Sequence, residues 1–160
     1  VFSEAEDVLS NSKIPHKKIS VSKAEADDCI AVTCNYLEKL EGDKIINIIT
    51  GDSDLYQLEE LDCVNIWDRK GNRWKDRLKG VSPTFYIQAK CYSGDSADGI
   101  PSVGNRIGLK TALGWVSGTK KYPKDLSRIN QERLELNKNL ILLSRIPKDL
   151  KDRIINILTN

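Results

Sequence analysis

The chain has 160 residues, of which 39% are hydrophobic and 30% charged, and its net charge is only +2. This length suits one ordinary domain with a buried core, and the near-balanced charge indicates no particular partner. No apolar run approaches the roughly 18 residues that a membrane span needs. The single histidine, His16, excludes two-histidine zinc sites and argues against a serine–histidine triad. Hydrolytic chemistry would therefore depend on carboxylates, lysine or a metal ion.

The cysteines Cys29, Cys34, Cys63 and Cys91 include no Cys-x-x-Cys pair, which is typical of free thiols in a reducing compartment. The sequence also shows no basic-then-apolar leader. We therefore expect an intracellular protein that does not contact a membrane. Because the chain begins with Val1 and contains no methionine, we expect that an N-terminal piece is missing from this sequence; processing of the chain is the alternative.

Charge is unevenly distributed along the sequence. Residues 1–100 carry 13 Lys/Arg and 18 Asp/Glu, whereas residues 101–160 carry 12 and 5. An acidic part is thus followed by a basic part. This separation is typical of a protein that holds cations in one place and a polyanion in another.

The hydrophobic pattern of the first part predicts helices that alternate with short strands. Residues 44–50 (KIINIIT) form a short β-branched apolar run, which is typical of a buried parallel strand. Residues 64–67 alternate in polarity, and a turn at 70–72 with a return through Trp74 predicts a hairpin. Strands alternating with helices predict an α/β fold, in which helices layer a sheet. The other elements predicted here are helices at 3–12, 25–40, 55–58 and 82–92 and a short strand at 18–21.

The character of the sequence changes after these elements, because glycine becomes frequent and helices then dominate. Helices are predicted at 108–116, 130–144 and 147–158. We therefore expect two units, an α/β core over residues 1–93 and a helical subdomain over residues 94–160.

Two acidic clusters lie at the ends of predicted elements in the first part. Glu25, Asp27 and Asp28 lie where a helix begins, and acidic residues there are often only partners of the helix dipole. Asp52 and Asp54 directly follow the β-branched run, at the end of a strand where α/β proteins bind ligands. A cation between them would relieve their repulsion, although either could instead cap a helix.

A third cluster, Asp95 and Asp98, lies between Gly94 and Gly99 and could form a simple turn. Each cluster alone is a weak signal. Together, in a chain with one histidine, the three favour a multi-carboxylate site for a hard divalent cation, Mg²⁺ or Mn²⁺ rather than zinc.

The glycine-rich segment 99–112 (GIPSVGNRIGLKTA) follows the third cluster. Glycines let backbone amides approach a phosphate closely, and a helix beginning near Gly108 would direct its N-terminus at that phosphate. Lys110 could add a point charge. This pattern contains no residues suited to contact base edges, so we expect it to bind a nucleic-acid backbone without sequence preference. The alternative is a loop between helices that binds no ligand.

Four motifs occur in one order: Glu-Ala-Asp-Asp at 25–28, Thr-Gly-Asp-Ser-Asp-Leu at 50–55, Gly-Asp-Ser-Ala-Asp-Gly-Ile-Pro at 94–101 and Ile-Gly-Leu-Lys-Thr-Ala at 107–112. Over about residues 1–145 the chain resembles the 5′-nuclease family. This family comprises the flap endonucleases, the bacteriophage 5′–3′ exonucleases and the 5′-nuclease domain of bacterial DNA polymerase I. The resemblance implies a PIN-like α/β sheet followed by a helix–three-turn–helix subdomain of the helix-hairpin-helix type.

The resemblance also implies a chemistry, cleavage of phosphodiesters near 5′ ends and at single-strand/double-strand junctions. Two Mg²⁺ or Mn²⁺ ions, about 4 Å apart, would activate a water and stabilise the leaving oxygen. By motif position, the metal-binding and catalytic acids would be Glu25, Asp27, Asp28, Asp52, Asp54, Asp95 and Asp98. The DNA-binding residues would be Gly104, Arg106, Gly108, Lys110 and Thr111, and backbone carbonyls of Val103 and Ile107 would hold a K⁺ ion.

Two departures from the family pattern qualify this interpretation. The family's N-terminal strand, which ends in an essential Asp, and its helical arch have no counterpart here, so we expect this sequence to be the C-terminal part of such a nuclease. The turn segment is also one residue longer, with Gly104-Asn105-Arg106 in place of a Pro-Gly pair. We expect a locally altered turn that still binds phosphate.

The function expected from these observations is a structure-specific 5′ nuclease of DNA replication, repair or phage genome processing. Its partners would be DNA 5′ ends, flaps and junctions, and the resemblance also allows RNA–DNA hybrids, replication proteins or an upstream segment supplied in trans. We expect it to act in the nucleoid or in an infected host cell. One alternative is a remnant that binds the DNA backbone without cutting. Another is a carboxylate-based phosphatase, which fits Asp52 and Asp54 but not the glycine-rich segment.

Overall fold

The structure is a computed structural model that describes residues 2–122 and 129–160. No helix among these residues is both long and apolar enough to cross a bilayer. The elements, in chain order, are α1 (Phe2–Asn11), α2 (Ala26–Glu38), β1 (Ile46–Ile49), a 3-10 helix (Asp54–Glu60), β2 (Val64–Trp67), α3 (Trp74–Arg77), α4 (Pro83–Ser93), α5 (Leu109–Val116), α6 (Gln131–Ile141), a second 3-10 helix (Leu143–Arg145) and α7 (Lys148–Thr159).

The sheet of the described residues has two parallel strands, β1 and β2, with Ile46 opposite Val64 and Ile49 opposite Trp67. Two parallel strands need a crossover, and the 3-10 helix Asp54–Glu60 lies in the connection between them. The predicted parallel strand at 44–50 is confirmed, and the fold is α/β as expected. The carboxyl end of β1 consequently opens into the loop that carries Asp52.

The first hydrophobic cluster lies on the inner side of this sheet. Ile48 of β1 and Ile66 of β2 point into it, and Leu55 and Tyr56 of the intervening 3-10 helix are almost completely buried. Helix α2 packs against α7 in the same cluster. The carboxyl-terminal helix is therefore part of the packing that supports the strands.

A second hydrophobic cluster surrounds the glycine-rich segment. Ile87 and Cys91 of α4, Val103 and Ile107 of the following loop, and residues of α5 and α6 form it. Helix α4 lies between the two clusters, since its Tyr86 belongs to the first. The division into units at residues 93 and 94 stays a prediction.

Most predicted helices are confirmed, but two features of the sequence-based fold are wrong. Residues 18–21 form no strand; Val21 packs into the core as irregular backbone, and a turn follows in which Lys23 has a φ of +66°. The predicted hairpin is reduced to a single bridge between Trp67 and Arg73. Trp74 then begins a short helix, because its side chain is buried in the core rather than paired along a second strand.

Candidate metal centre and nucleic-acid interface

Asp52 and Asp54 follow β1 in a tight turn. The backbone N–H of Asp52 donates to the hydroxyl of Thr50 at 3.0 Å, and the carboxylate of Asp52 accepts the N–H of Asp54 at 2.8 Å. Asp52 is exposed, whereas Asp54 begins the 3-10 helix and is buried. The turn therefore presents one carboxylate to solvent and one to the interior.

Asp95 and Asp98 are held by a compact loop after α4. Asp95 and Ile100 exchange two backbone hydrogen bonds, of 2.8 and 2.7 Å, and the Asp95 carboxylate accepts the N–H of Ala97 at 2.9 Å. This closure directs both aspartates to Asp54. Carboxylate oxygens of Asp54, Asp95 and Asp98 lie within 4.8 Å of one another, a donor set suited to a hard divalent cation.

Lys90, in the last turn of α4, lies among these acids. Its buried ammonium forms ion pairs with Asp54 and Asp95 and donates to the hydroxyl of Ser53 at 3.1 Å. The sequence motifs did not include this residue. Its burial could have been predicted, because Lys90 falls four residues after Tyr86 and three after Ile87, on the apolar face of its helix.

The pKa shifts at this centre follow from burial and the shared lysine. Burial raises the pKa of Asp54, against the effect of Lys90, and the charges of Asp52 and Asp95 add to the rise. Burial opposes ionisation of Asp95 too, but hydrogen bonds from Lys90 and Ala97 hold its pKa below the ordinary value. Burial disfavours the Lys90 ammonium, yet the two carboxylates outweigh it and raise the pKa of Lys90.

The acids of α2 divide into two groups. Asp28 accepts the backbone N–H of Glu25 at 3.0 Å, which stabilises the start of the helix. Asp27 is half-buried; burial, together with the charges of Asp28 and Asp52, raises its pKa. Asp27 and Glu25 line a cleft of about 410 Å³, so this helix end faces the strand-end acids.

Two adjoining clefts collect the predicted acids. The cleft of about 410 Å³ also contains Asp52, Asp54 and Asp98. A larger cleft of about 890 Å³ shares Asp52 and Asp98 and adds Asp95. The acids of all three sequence motifs therefore meet, and Asp28 is the one predicted acid that lines neither cleft.

The glycine-rich segment folds around the hydroxyl of Ser102. The Oγ of this serine lies 2.8 Å from the carbonyl oxygen of Gly104, 3.1 Å from that of Ile107 and 3.3 Å from that of Tyr92. The carbonyl oxygen of Tyr92 also accepts the N–H of Val103 at 3.0 Å, and that of Val103 accepts the N–H of Asn130 at 2.8 Å. A hydroxyl has only one proton to donate and a carbonyl oxygen has two lone pairs, so the carbonyls of Gly104 and Ile107 keep the most capacity for a cation.

The predicted phosphate-binding residues lie at the start of α5. Gly108 occupies the N-cap position, and the side chains of Arg106 and Lys110 are exposed. Thr111 is half-buried in the first turn, and Gly104 is half-buried in the preceding loop. Arg106 has a φ of +60°, a left-handed backbone in the altered part of the turn. The exposed N-terminus of this helix is suited to an anion.

Solved structures of the D15 protein of bacteriophage T5 share this fold. A crystal structure obtained with metal ions aligns with a TM-score of 0.74 at 20% identity, covering 99% of this chain and 69% of the phage chain. A flap endonuclease pseudo-enzyme–product complex with DNA and metal ions aligns with a TM-score of 0.74 at 19% identity, covering 99% of this chain and 67% of the other. The chain has the flap endonuclease fold.

This fold confirms the resemblance drawn from the four motifs at the level of architecture. No protein-family model and no curated protein sequence matches the chain. The roles of the individual residues stay predictions. The structure nevertheless brings six of the seven predicted acids together in two adjoining clefts, as the three acidic clusters of the sequence predicted.

Proposed function

We propose that this chain functions as a divalent-metal-dependent, structure-specific 5′ nuclease that hydrolyses DNA phosphodiesters at 5′ ends, flaps and junctions. The observation that carries the proposal is the convergence of Asp54, Asp95 and Asp98 beside the glycine-rich turn. When bound, Mg²⁺ or Mn²⁺ supplies water activation and stabilisation of the leaving oxygen.

The protein residues have separate roles in this proposal. The six predicted acids that line the clefts hold the metal ions, and Asp28 stabilises the start of the helix that carries two of them. Arg106, Lys110 and the first turn of α5 hold the DNA backbone. Carbonyls around Ser102 hold K⁺. The site of action is inside the cell, in the nucleoid or an infected host, and RNA–DNA hybrids and replication proteins are further proposed partners.

A second candidate function is binding of the DNA backbone without cleavage. The observation that favours it is the ammonium of Lys90, which forms ion pairs with two carboxylates of the candidate metal triad.

A cleavage assay tests the proposal and separates it from the second candidate. The purified chain is incubated with a labelled 5′-flap DNA in Mg²⁺, with and without EDTA, beside Asp52→Asn and the control Asp152→Asn. Asp52 is the best position because it is exposed and the amide oxygen of asparagine can still accept the N–H of Asp54. Asp152 is an exposed acid on α7, outside both clefts.

We expect cutting that EDTA abolishes, that the control retains and that Asp52→Asn lowers by at least about 100-fold. Flap binding should survive in both variants. Binding without cutting by the unmodified chain would contradict the nuclease and support the second candidate. Turnover of small phosphomonoesters that duplex DNA does not affect would instead support a phosphatase.

A further inference from the structure

We propose that Arg69 and Lys70 form a subsite that binds one phosphate of the nucleic acid. This phosphate neighbours the one that metal ions would hold at the acidic residues. This inference rests on the proposed function and extends its substrate contacts. Neither residue belongs to any of the motifs that carry the family resemblance. The subsite follows from the shape and charge of the larger cleft.

The larger cleft has walls of opposite charge. Asp52, Asp95 and Asp98 contribute carboxylates to it, and Arg69 and Lys70, which follow β2, contribute cations. A strand of nucleic acid with one phosphate at a metal ion would otherwise present its neighbouring phosphates to an acidic surface. The positive charges of Arg69 and Lys70 in the same cleft would attract these neighbouring phosphates.

The turn that carries Arg69 and Lys70 is built around Asp68. This buried carboxylate accepts the backbone N–H of Lys70 at 2.8 Å and that of Asn72 at 2.9 Å, and it pairs with Arg77 at 3.4 Å. The backbone of the turn is thereby fixed before any ligand arrives. Ligand binding then requires the ordering of only two side chains.

The two cations are available for a ligand. Within the described part of the chain, neither the guanidinium of Arg69 nor the ammonium of Lys70 forms an ion pair or a hydrogen bond. The guanidinium lies over Gly51, since a Cβ built there would be 3.5 Å from its Nε. Arg69 is thus placed against the backbone that leads into Asp52.

The chemistry of the pair selects a phosphate. A guanidinium offers planar paired N–H donors that match phosphate oxygens, and lysine adds a point charge. Neither contact reads a base, so the subsite positions the strand without sequence preference. A terminal 5′-phosphate and an internal phosphodiester share this chemistry, and the substrates of the test distinguish them.

The test measures the salt dependence of DNA binding by fluorescence anisotropy. All proteins carry Asp52→Asn, so that DNA is bound in Mg²⁺ without being cut. The double variant Arg69→Gln/Lys70→Gln is compared with Lys75→Gln/Lys79→Gln, which removes the same charge from exposed positions that do not line the cleft. The DNA is a duplex with a 5′ single-stranded extension that ends in either a phosphate or a hydroxyl.

We expect the subsite variant to reduce the slope of log affinity against log salt by about 1.4, since each lost contact with a single strand contributes about 0.7. Arg69→Lys/Lys70→Arg should retain the slope. A loss confined to the 5′-phosphorylated DNA identifies a terminal phosphate, and an equal loss on both identifies an internal one. Equal slopes in subsite and control variants would overturn this inference while leaving DNA binding intact. Failure of the nuclease itself would instead appear as absent cutting in the flap assay.

Discussion

At the scale of single residues, Lys90 supplies positive charge to the acidic centre. Asp54 and Asp95 lie in a partly desolvated place where two uncompensated carboxylates would be costly. The ammonium of Lys90, with only 5% of its side chain exposed, pairs with both. It therefore acts as a counter-charge for these two carboxylates.

We predict that Lys90→Met lowers the free energy of unfolding by about 3–5 kcal/mol, because it leaves two largely buried carboxylates unpaired. The control is Lys138→Met, which removes a more exposed pair with Glu135 and should cost at most about 1 kcal/mol. Urea unfolding in EDTA measures both. Added Mg²⁺ should restore part of the loss in Lys90→Met, and equal costs for the two variants would show that the centre does not need this counter-charge.

Asp68 gives a prediction about pH. The Asp68 carboxylate accepts hydrogen bonds from the backbone N–H and the side-chain amide of Asn72. These bonds lower the pKa of Asp68, and the backbone N–H has the larger effect. A lowered pKa means that the charged form is favoured in the folded state. Its contribution to stability is complete above the ordinary value of about 3.9 and is lost as the pH falls through the folded-state pKa.

We therefore predict that Asp68→Asn is less stable than the unmodified chain by a constant amount between about pH 5 and pH 8, and that this difference shrinks below about pH 4. Urea unfolding across this pH range measures it. A difference that does not change with pH would mean that Asp68 acts through its shape alone.

At the scale of elements, the loop from Gly94 to Ile100, which follows α4, fixes the positions of Asp95 and Asp98. Gly94 has a φ of +72°, and a Cβ there would overlap the backbone of Ile100 and Pro101. Gly99 has a similar φ of +69° but open space around it. Substitutions at the two glycines therefore distinguish the cost of a left-handed backbone from the cost of steric overlap.

We predict that Gly99→Ala costs about 1–2 kcal/mol, from left-handed strain alone. Gly94→Ala should cost about 3 kcal/mol or more, because overlap with the backbone adds to the same strain. Urea unfolding measures both costs, and a Mg²⁺ titration should show weaker binding only in Gly94→Ala. A similar loss of unfolding free energy and unchanged Mg²⁺ binding in both variants would show that the loop shifts at Gly94 to accommodate the added Cβ.

The sequence predicted elements correctly where the local residue pattern is distinctive. Its predictions were wrong where contacts with distant parts of the chain determine the backbone conformation. The run 44–50 is apolar and β-branched, so it predicted β1 and the acids at its end. The segment 18–21 has similar residues but packs as irregular backbone. Trp74 could not be placed from its pattern, since its burial in the core outweighs strand pairing. The burial of Lys90 could have been predicted from its place on the apolar face of α4, but its ion pair with Asp54 could not, because Asp54 lies 36 residues earlier in the chain.

At the scale of the whole molecule, charge separation matches the arrangement of the clefts and the glycine-rich turn. The acidic first part, residues 1–100, supplies all seven predicted acids, of which Asp95 and Asp98 lie on the loop after α4. The basic second part includes Arg106 and Lys110, which are exposed beside that loop. The acidic clefts and the candidate phosphate-binding residues thus come from differently charged parts of the sequence, a separation typical of a protein that holds cations in one place and a polyanion in another.

The outer face of the two-stranded sheet gives the prediction at this scale. Parallel sheets are normally covered on both faces, yet Ile45 is 75% and Ile49 74% exposed. We predict that the purified chain self-associates as its concentration rises, because exposed apolar surface of this kind promotes association. Ile45→Lys/Ile49→Lys should keep it monomeric in light scattering without loss of thermal stability. The control Gln88→Lys/Gln131→Lys adds the same charge at exposed polar positions and should not suppress association. If it suppresses association equally, net charge rather than the bare sheet face governs the behaviour of the molecule.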